Sequence, residues 1–576
     1  MRVTQLKIHR ALALALTLVV ALTGAGRARA AEFNAVRGDR ASDWPGQTRS
    51  EVLGLNGMVA TSQPLASEAG LQILKDGGNA VDAAVAAAAV LNVVEAVSAG
   101  IGGDMFAIVW LAKEKKLIAL NGSGAAPTGA TPQRYAKLGL THVPISGVHS
   151  ISVPGAVDGW DVLLKRAGTK SFKEVLAPAV RIAEEGFGVT ERIRADWVGG
   201  VKALSADPDA AAVYLRQGQA PATYSIFRNP DLGHALRVLQ RDGRDAFYKG
   251  EIAAAIVAKM QALGGTMTRE DLANTAATWE TPITTRYHGY DVYEMPPNTQ
   301  GFAVLEALNI LEVCAPKFGI DLAALGPRSA AYWHMLVEAK KLAYTDLYAF
   351  NGDPRFVSVP VERLISKAYA AEQCRKIDPK KASTPEALGD PVGGTVYLAT
   401  ADRWGNMVSF IYSVYDYFGS GIGVPGYGFV LADRAALFSL QPGSPNIIAP
   451  HKRPFHTLIP GFLMKDGQPL AAFGLMGGGQ QAQGHLQVLV DMIDLGANPQ
   501  AASDAARFTH AQPSNRLALE SQLFDLVGAQ LKAMGHQVAS RGDADMGGYQ
   551  AIWRDPKTGM LRGASDHRKD GGAMGW

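Results

Sequence analysis

Several things are scarce in this chain, and each scarcity excludes something. Its 576 residues contain two cysteines, Cys314 and Cys374. That is too few for a disulfide-built scaffold, and their separation offers no zinc-ligand spacing. A disulfide between them and a pair of inert buried thiols stay equally open. Net charge is nearly absent: 56 basic against 53 acidic residues give +3, which provides no electrostatic footprint for nucleic acid. No serine sits in a G-x-S-x-G elbow, which argues against an α/β-type serine hydrolase. The pair Gly102-Gly103 follows a helix-like segment and lacks the G-x-G-x-x-G spacing of a dinucleotide site. No sequence cluster of metal ligands stands out, and no metal or organic cofactor is expected.

The first thirty residues hold the one long apolar run. Arg2, Lys7 and Arg10 precede "ALALALTLVVALTGAG", and Ala28-Arg29-Ala30 then offers a small-x-small cleavage site. The expectation is a secretory signal over 1–30 and an exported protein, periplasmic where the cell has two membranes. A membrane anchor is the competing reading, although the run falls short of the roughly 20 apolar residues a span needs.

What is abundant is glycine, 63 residues, and a hydrophobic fraction of 47%, enough for a substantial core. Helical patterns are expected over 65–75, 80–97, 172–185, 230–241, 251–263, 300–313, 330–349 and 483–495, with Gly77-Gly78 stopping the first and Asn79 capping the second. "AGIGGDMFAIVWLAKEKKLIALNGSGAAP" reads as two strands around a charged turn. Further strands are expected at 395–401, 407–415, 428–431 and 463–473. No repeat or Ser/Gly linker divides the chain. The Pro/Lys-rich stretch 377–394 is the one long exposed-looking segment, and it ends at Gly394-Thr395.

That dipeptide bears on function. A threonine hydroxyl needs an adjacent base, and a threonine that begins a chain supplies its own in its α-amine, whose ordinary pKa is about 7.7–8.0. Gly394 suits a bond to be cut, because it tolerates unusual backbone angles and leaves its carbonyl open. By itself a Gly-Thr before a strand is most often structural.

The surrounding motifs carry more. "TVYLATADRWGNMVSFIYSVYDYFGSGI" resembles the start of the small subunit in the gamma-glutamyltransferase family of N-terminal-nucleophile hydrolases. "SEAGLQILKDGGNAVDAAVAAAAVLNVVEAVSAGIGGDMF", "ISVPGAVDGW", "MPPNTQG" and "VEAKKLAYTDLYAF" resemble its large subunit. "HKRPFHTLIP", "GLMGGGQQAQGH", "AARF" and "GASDHRKDGGAMGW" resemble the rest of the small one. The resemblance implies a four-layer αββα sandwich, an α/β fold made as a precursor that cuts itself. The large subunit would be 31–394, and the small subunit, 395–576, would pair with it as a heterodimer.

It also implies roles. Thr395 is the nucleophile of both self-cleavage and amide hydrolysis, Ser413 orients it, and Gly477-Gly478 form the oxyanion hole with their backbone N–H groups. The acyl group would pass through an ester to water or to an amine acceptor.

The chain departs from the family pattern where the γ-glutamyl group is held. Ser123 stands where an arginine is expected, Leu437 in place of an acid, Tyr415 in place of an asparagine, and His456-Thr457 in place of a Ser-Ser pair. A lid segment is short as well. These features resemble a divergent branch that includes oxamate amidohydrolase and glutaryl-cephalosporin acylase-like proteins. Arg434, His456 and Thr457 become candidates to hold an acyl carboxylate, against the plainer readings of Arg434 as a surface charge and His456 as a core histidine. The expected substrate is a small amide, γ-glutamyl or a non-amino acyl amide. A non-catalytic binding protein on the same fold is the alternative from another class.

Overall fold

The computed structural model describes residues 47–386, 393–542 and 546–576. The expected signal segment and part of the stretch before Thr395 lie outside these residues. Among the described residues no helix is long and apolar enough to cross a membrane.

Two seven-stranded sheets form the centre. One runs Gly572–Gly575, Gly57–Thr61, Val396–Asp402, Met407–Ser413, Asp104–Leu111, Lys116–Gly122 and Thr278–Glu280 in spatial order, antiparallel throughout. The other runs Val52–Gly54, Leu561–Ser565, Gly548–Arg554, Gln468–Met476, Gly461–Lys465, Tyr290–Glu294 and Ile283–Tyr287. The side-chain alternation of a strand sorts residues between layers. Val396 and Leu398 enter the core shared with helices such as Ala80–Val94, while Tyr397, Ala399 and Ala401 enter the core between the sheets. In the second sheet Ala471, Phe473 and Leu475 face Gly301–Lys317 and Ala330–Phe350, and Ala472 and Met476 face the first sheet. Three apolar layers between four layers of backbone give the αββα sandwich.

Local signals are carried out in detail. Asn79 caps the helix Ala80–Val94 in a capping box with Asp82, and Gly77 takes a φ of +83°. Two strand expectations need correction. The run 463–473 is two strands joined by a turn at Asp466-Gly467, whose φ values are +50° and +73°. The run 428–431 makes only isolated bridges, Val430 with Gly423 and Leu431 with Gly102. A 15-residue helix at Glu191–Ser205 is not among the expected ones; its glycine pair Gly199-Gly200, poor in helix propensity, admits the rings of Tyr417 and Phe418. Cys314 and Cys374 form a disulfide between two helices, with Cα atoms 5.3 Å apart.

Sheet register then places the chemistry. Val396 pairs with Tyr412 and Ser413 with Asp104, and Met105 pairs with Gly122. One step further along each ladder, Thr395, Ser413, Asp104 and Ser123 fall in a row across one end of the sheet.

Candidate active site

In the uncut chain Thr395 is buried and its hydroxyl lies 2.5 Å from the Gly394 carbonyl oxygen. Ser413 Oγ donates to the same oxygen at 2.8 Å and accepts from the Tyr415 N–H at 2.7 Å. Two hydroxyls thus converge on one peptide carbonyl. The special demand at this bond is space rather than an unusual φ. A Cβ on Gly394 would meet Ser98 Oγ at 3.0 Å, and one on Gly393 would meet the Tyr415 ring at 2.8 Å. Tyr415 itself takes a φ of +82°, a costly conformation for a non-glycine residue.

Gln481 completes the setting. Its Oε1 accepts from the Ile459 N–H at 3.2 Å, which leaves its Nε2 to donate to Thr395 Oγ at 3.3 Å. The Thr395 oxygen is therefore approached by a donor, and its own proton points to Gly394. Gln481 lies in the first turn of Gln480–Ile493, whose N-terminus brings a partial positive charge to the hydroxyl. Gly477 and Gly478 precede that helix with φ values of +124° and +58°, which explains glycine at both. Gln300 donates to the Gly478 carbonyl at 3.0 Å and to the Thr457 carbonyl at 2.6 Å, tying the two turns together.

The five residues expected at the acyl group gather around Asp104, which pairs with Ser413 on the neighbouring strand. This buried carboxylate accepts from the Gly124 N–H at 2.7 Å, Arg434 Nε at 3.1 Å and His456 Nε2 at 3.3 Å. Ser123 stands next to Gly124 and accepts from Asn298 at 3.4 Å. Thr457 Oγ accepts from Arg434 Nη1 at 3.3 Å, and the guanidinium carbon lies 4.7 Å from the centre of the Tyr415 ring. Burial alone would raise the Asp104 carboxyl, yet its hydrogen bond with His456 and the charge of Arg434 hold it below the usual range. Burial and the Arg434 charge push His456 down to about 3, so it is neutral. Its Nε2–H then faces Asp104, and its Nδ1 accepts from the Leu458 N–H at 3.2 Å.

The surface-charge reading of Arg434 is overturned, since the side chain is fully buried. Its Nη2 is buried without a hydrogen-bond partner among the described residues. His456 has both ring nitrogens occupied, as a core histidine would. Leu437, at the end of the short turn Arg434–Leu437, brings no charge.

A cavity of about 210 Å³ opens beside Thr395, Gly394 and Gly477. None of Ser123, Tyr415, Arg434, His456 and Thr457 lines it. The sequence reading gave no role to Gln481, Gln300, Asn298 or Asp104. All four lie inside segments already singled out, "GLMGGGQQAQGH", "MPPNTQG" and "AGIGGDMF", so the signal was present without the geometry to interpret it.

One ligand-like cluster that sequence spacing did not reveal is assembled away from this site. His334, Glu338 and His536 bring their polar atoms within 4.8 Å of one another. Those atoms bond to protein: His334 Nδ1 to His536 Nε2, His334 Nε2 to the Asp378 carbonyl, and Glu338 to Lys341, each at 2.8 Å.

Comparison with known proteins agrees with the fold and the motifs. The family model described as Gamma-glutamyltranspeptidase matches residues 66–576. A glutathione hydrolase-like proenzyme of Bacillus subtilis is 38% identical over 532 residues, 91% of this chain and 99% of its own. The oxamate amidohydrolase proenzyme of Klebsiella pneumoniae is 34% identical over 539 residues, 92% of this chain and all of its own. The crystal structure of cephalosporin acylase from Bacillus halodurans superposes with a TM-score of 0.86 at 41% identity, covering 94% of this chain and 99% of that one. With its αββα sandwich and the hydrolases among its relatives, the chain is an amidohydrolase that belongs to the gamma-glutamyltranspeptidase family.

Proposed function

We propose that the protein is a self-processing threonine amidohydrolase that cleaves mono-amides of small dicarboxylic acids through an ester on Thr395. The observation that carries the reading is the convergence of Thr395 Oγ and Ser413 Oγ on the Gly394 carbonyl.

In self-cleavage Thr395 Oγ attacks the Gly394 carbonyl carbon, and Ser413 stabilises the developing oxyanion. The C–N bond breaks, its nitrogen takes a proton, and water hydrolyses the resulting ester. The products are a Gly394 carboxylate and a free Thr395 α-amine, in a heterodimer of 31–394 and 395–576. That amine then serves as base while Thr395 Oγ attacks the substrate amide, with the N–H groups of Gly477 and Gly478 receiving the oxyanion. The amine product leaves, and water or an acceptor amine takes the acyl group.

Arg434 supports the acyl assignment. Asp104 already balances the buried guanidinium, and its Nη2, without a hydrogen-bond partner among the described residues, remains as a donor for a further acceptor such as an acyl carboxylate. Leu437 supplies no partner for an α-amine, which favours glutaryl- or oxamate-like acyl groups. The γ-glutamyl group is the second reading, favoured by the glutathione hydrolase names among the relatives.

The intact mass of the purified protein beside Thr395→Ala tests the cut. Two fragments are expected, the smaller beginning at Thr395 and both absent in the variant. Glutaryl, γ-glutamyl and oxamate amides then rank the acyl group. A single inactive chain identical to the variant would overturn the reading.

A further inference from the structure

Away from Thr395, three buried side chains with metal-ligand chemistry meet where three pieces of chain converge. His334 and Glu338 lie four residues apart on Ala330–Phe350, so they share one face of that helix. His536 follows the helix Ser521–Ala533 through Gly535, whose φ is +97°. The third piece is the segment 378–383, on the way to Gly394. It is tied to the other two: His334 Nε2 meets the Asp378 carbonyl, the Met534 carbonyl accepts from the Ala382 N–H at 2.7 Å, and Lys341 Nζ donates to the Ser383 carbonyl at 2.8 Å.

These hydrogen bonds decide which lone pairs are left. A carbonyl only accepts, so His334 carries its proton on Nε2 and presents Nδ1 as a lone pair. That is the tautomer and the outer bond of a metal-ligating histidine. Facing it at 2.8 Å, His536 Nε2 donates when the two rings are alone, and a shift of its proton to Nδ1 turns both facing nitrogens into ligands. Glu338 gives Oε1 to Lys341 and meets the Ser383 N–H with both oxygens, at 3.3 and 3.2 Å, so a lone pair of Oε2 remains. The three ligand atoms lie within 4.8 Å of one another. Around zinc, with bonds of about 2.0–2.2 Å, they would stand about 3.3 Å apart, a change that side-chain rotation supplies.

We propose that His334 Nδ1, His536 Nε2 and Glu338 Oε2 bind one divalent transition-metal ion, with zinc as the fitting member. Two imidazoles and a carboxylate suit zinc, whereas calcium and magnesium require shells of oxygen. Lys341 neutralises Glu338, so coordination to nitrogen rather than net charge carries the affinity. Binding does not depend on the amidohydrolase reading; its consequence does. If the chain is cut before Thr395, His334 and Glu338 belong to one fragment and His536 to the other. The ion then clips the two together and holds the end of the larger one.

Zinc alone is the probe. Untagged protein, stripped with a chelator and dialysed, is titrated with Zn²⁺ against a chromogenic zinc indicator, and Co²⁺ serves as the spectroscopic substitute. One ion per chain is expected in wild type and in Thr395→Ala, with the visible absorption of Co²⁺ at low coordination number. Glu338→Gln and His536→Gln should each weaken binding at least about tenfold, while His142→Gln, at an exposed histidine, leaves it unchanged. Zn²⁺ should also raise the unfolding midpoint of wild type and not that of His536→Gln. Wild type that takes up no stoichiometric zinc, or folded Glu338→Gln and His536→Gln that bind it as tightly, would overturn the site. If neither variant folds, the wild-type Co²⁺ spectrum decides alone, and its absence overturns the site. A chain that binds zinc and stays uncut keeps the site and removes only the clip.

Discussion

The two halves of the site are built by opposite means. Around the Gly394-Thr395 bond the parts are short side chains and backbone: two hydroxyls, an amide and two glycines, positioned by sheet register and one helix start. Around Asp104 they are long or charged side chains, Arg434 and His456, brought in from loops and stripped of water. A hydroxyl set by register remains placed whatever its neighbours do. A buried charge keeps its place only while each partner is present. The first half should therefore fail in chemistry when altered, and the second in stability.

Arg434→Met gives the largest expected effect, since it leaves the Asp104 carboxylate buried with a main partner gone. About 3–5 kcal/mol of stability should be lost in denaturant unfolding. A loss below about 1 kcal/mol would mean that water enters the cluster and the two halves are less different than they look. Ser413→Ala should leave the unfolding midpoint nearly unchanged and slow self-cleavage about 100-fold, as the loss of one oxyanion donor does. Intact mass against time measures it, and Ser413→Thr should keep most of the rate.

The contrast also has a pH form. The Glu95 carboxyl, buried beneath a hydrogen bond from Ser62, is pushed up to about 7, first by desolvation. Its folded value lies above its unfolded one, so the unfolded chain gives up this proton first. Stability should thus fall as pH rises from about 4.5 to about 7, then level off. Glu95→Gln should remove up to about 3 kcal/mol of that decline, read by denaturant unfolding at pH 5 and pH 8. Asp104, held low, has the reverse sign: its contribution is full above its unfolded value and fades as pH falls through the folded one. The smallest effect is expected from Gln481→Ala, about tenfold in cutting rate, since it removes one neutral hydrogen bond from Thr395.

Legibility in the sequence follows the same division. The cap at Asn79 and the strand beginning after Thr395 are local or periodic signals, which can be read without coordinates, whereas Ser413 came only from the family resemblance. Arg434 could be nominated but not placed, because burial of a charge depends on Asp104, 330 residues earlier in the chain. Gln481 and Gln300 sat inside quoted motifs without a role, since an amide gains one only from the atoms it meets. Gly199-Gly200 sits inside a helix against its propensity, a weak prior beside packing that needs room for two rings.

The order of strands in the sheets has a last consequence. If the chain is cut before Thr395, each sheet alternates pieces: Gly57–Thr61 lies between Gly572–Gly575 and Val396–Asp402, and Gly461–Lys465 lies against Tyr290–Glu294. Neither fragment holds a complete seven-stranded sheet. The precursor folds as one chain, at a rate independent of concentration. Once cut and unfolded, its halves must find each other, so recovery becomes second order in protein and is lost on dilution. Cleavage would then mark the molecule with a direction in time, because the mature form holds a structure that only its precursor could reach alone.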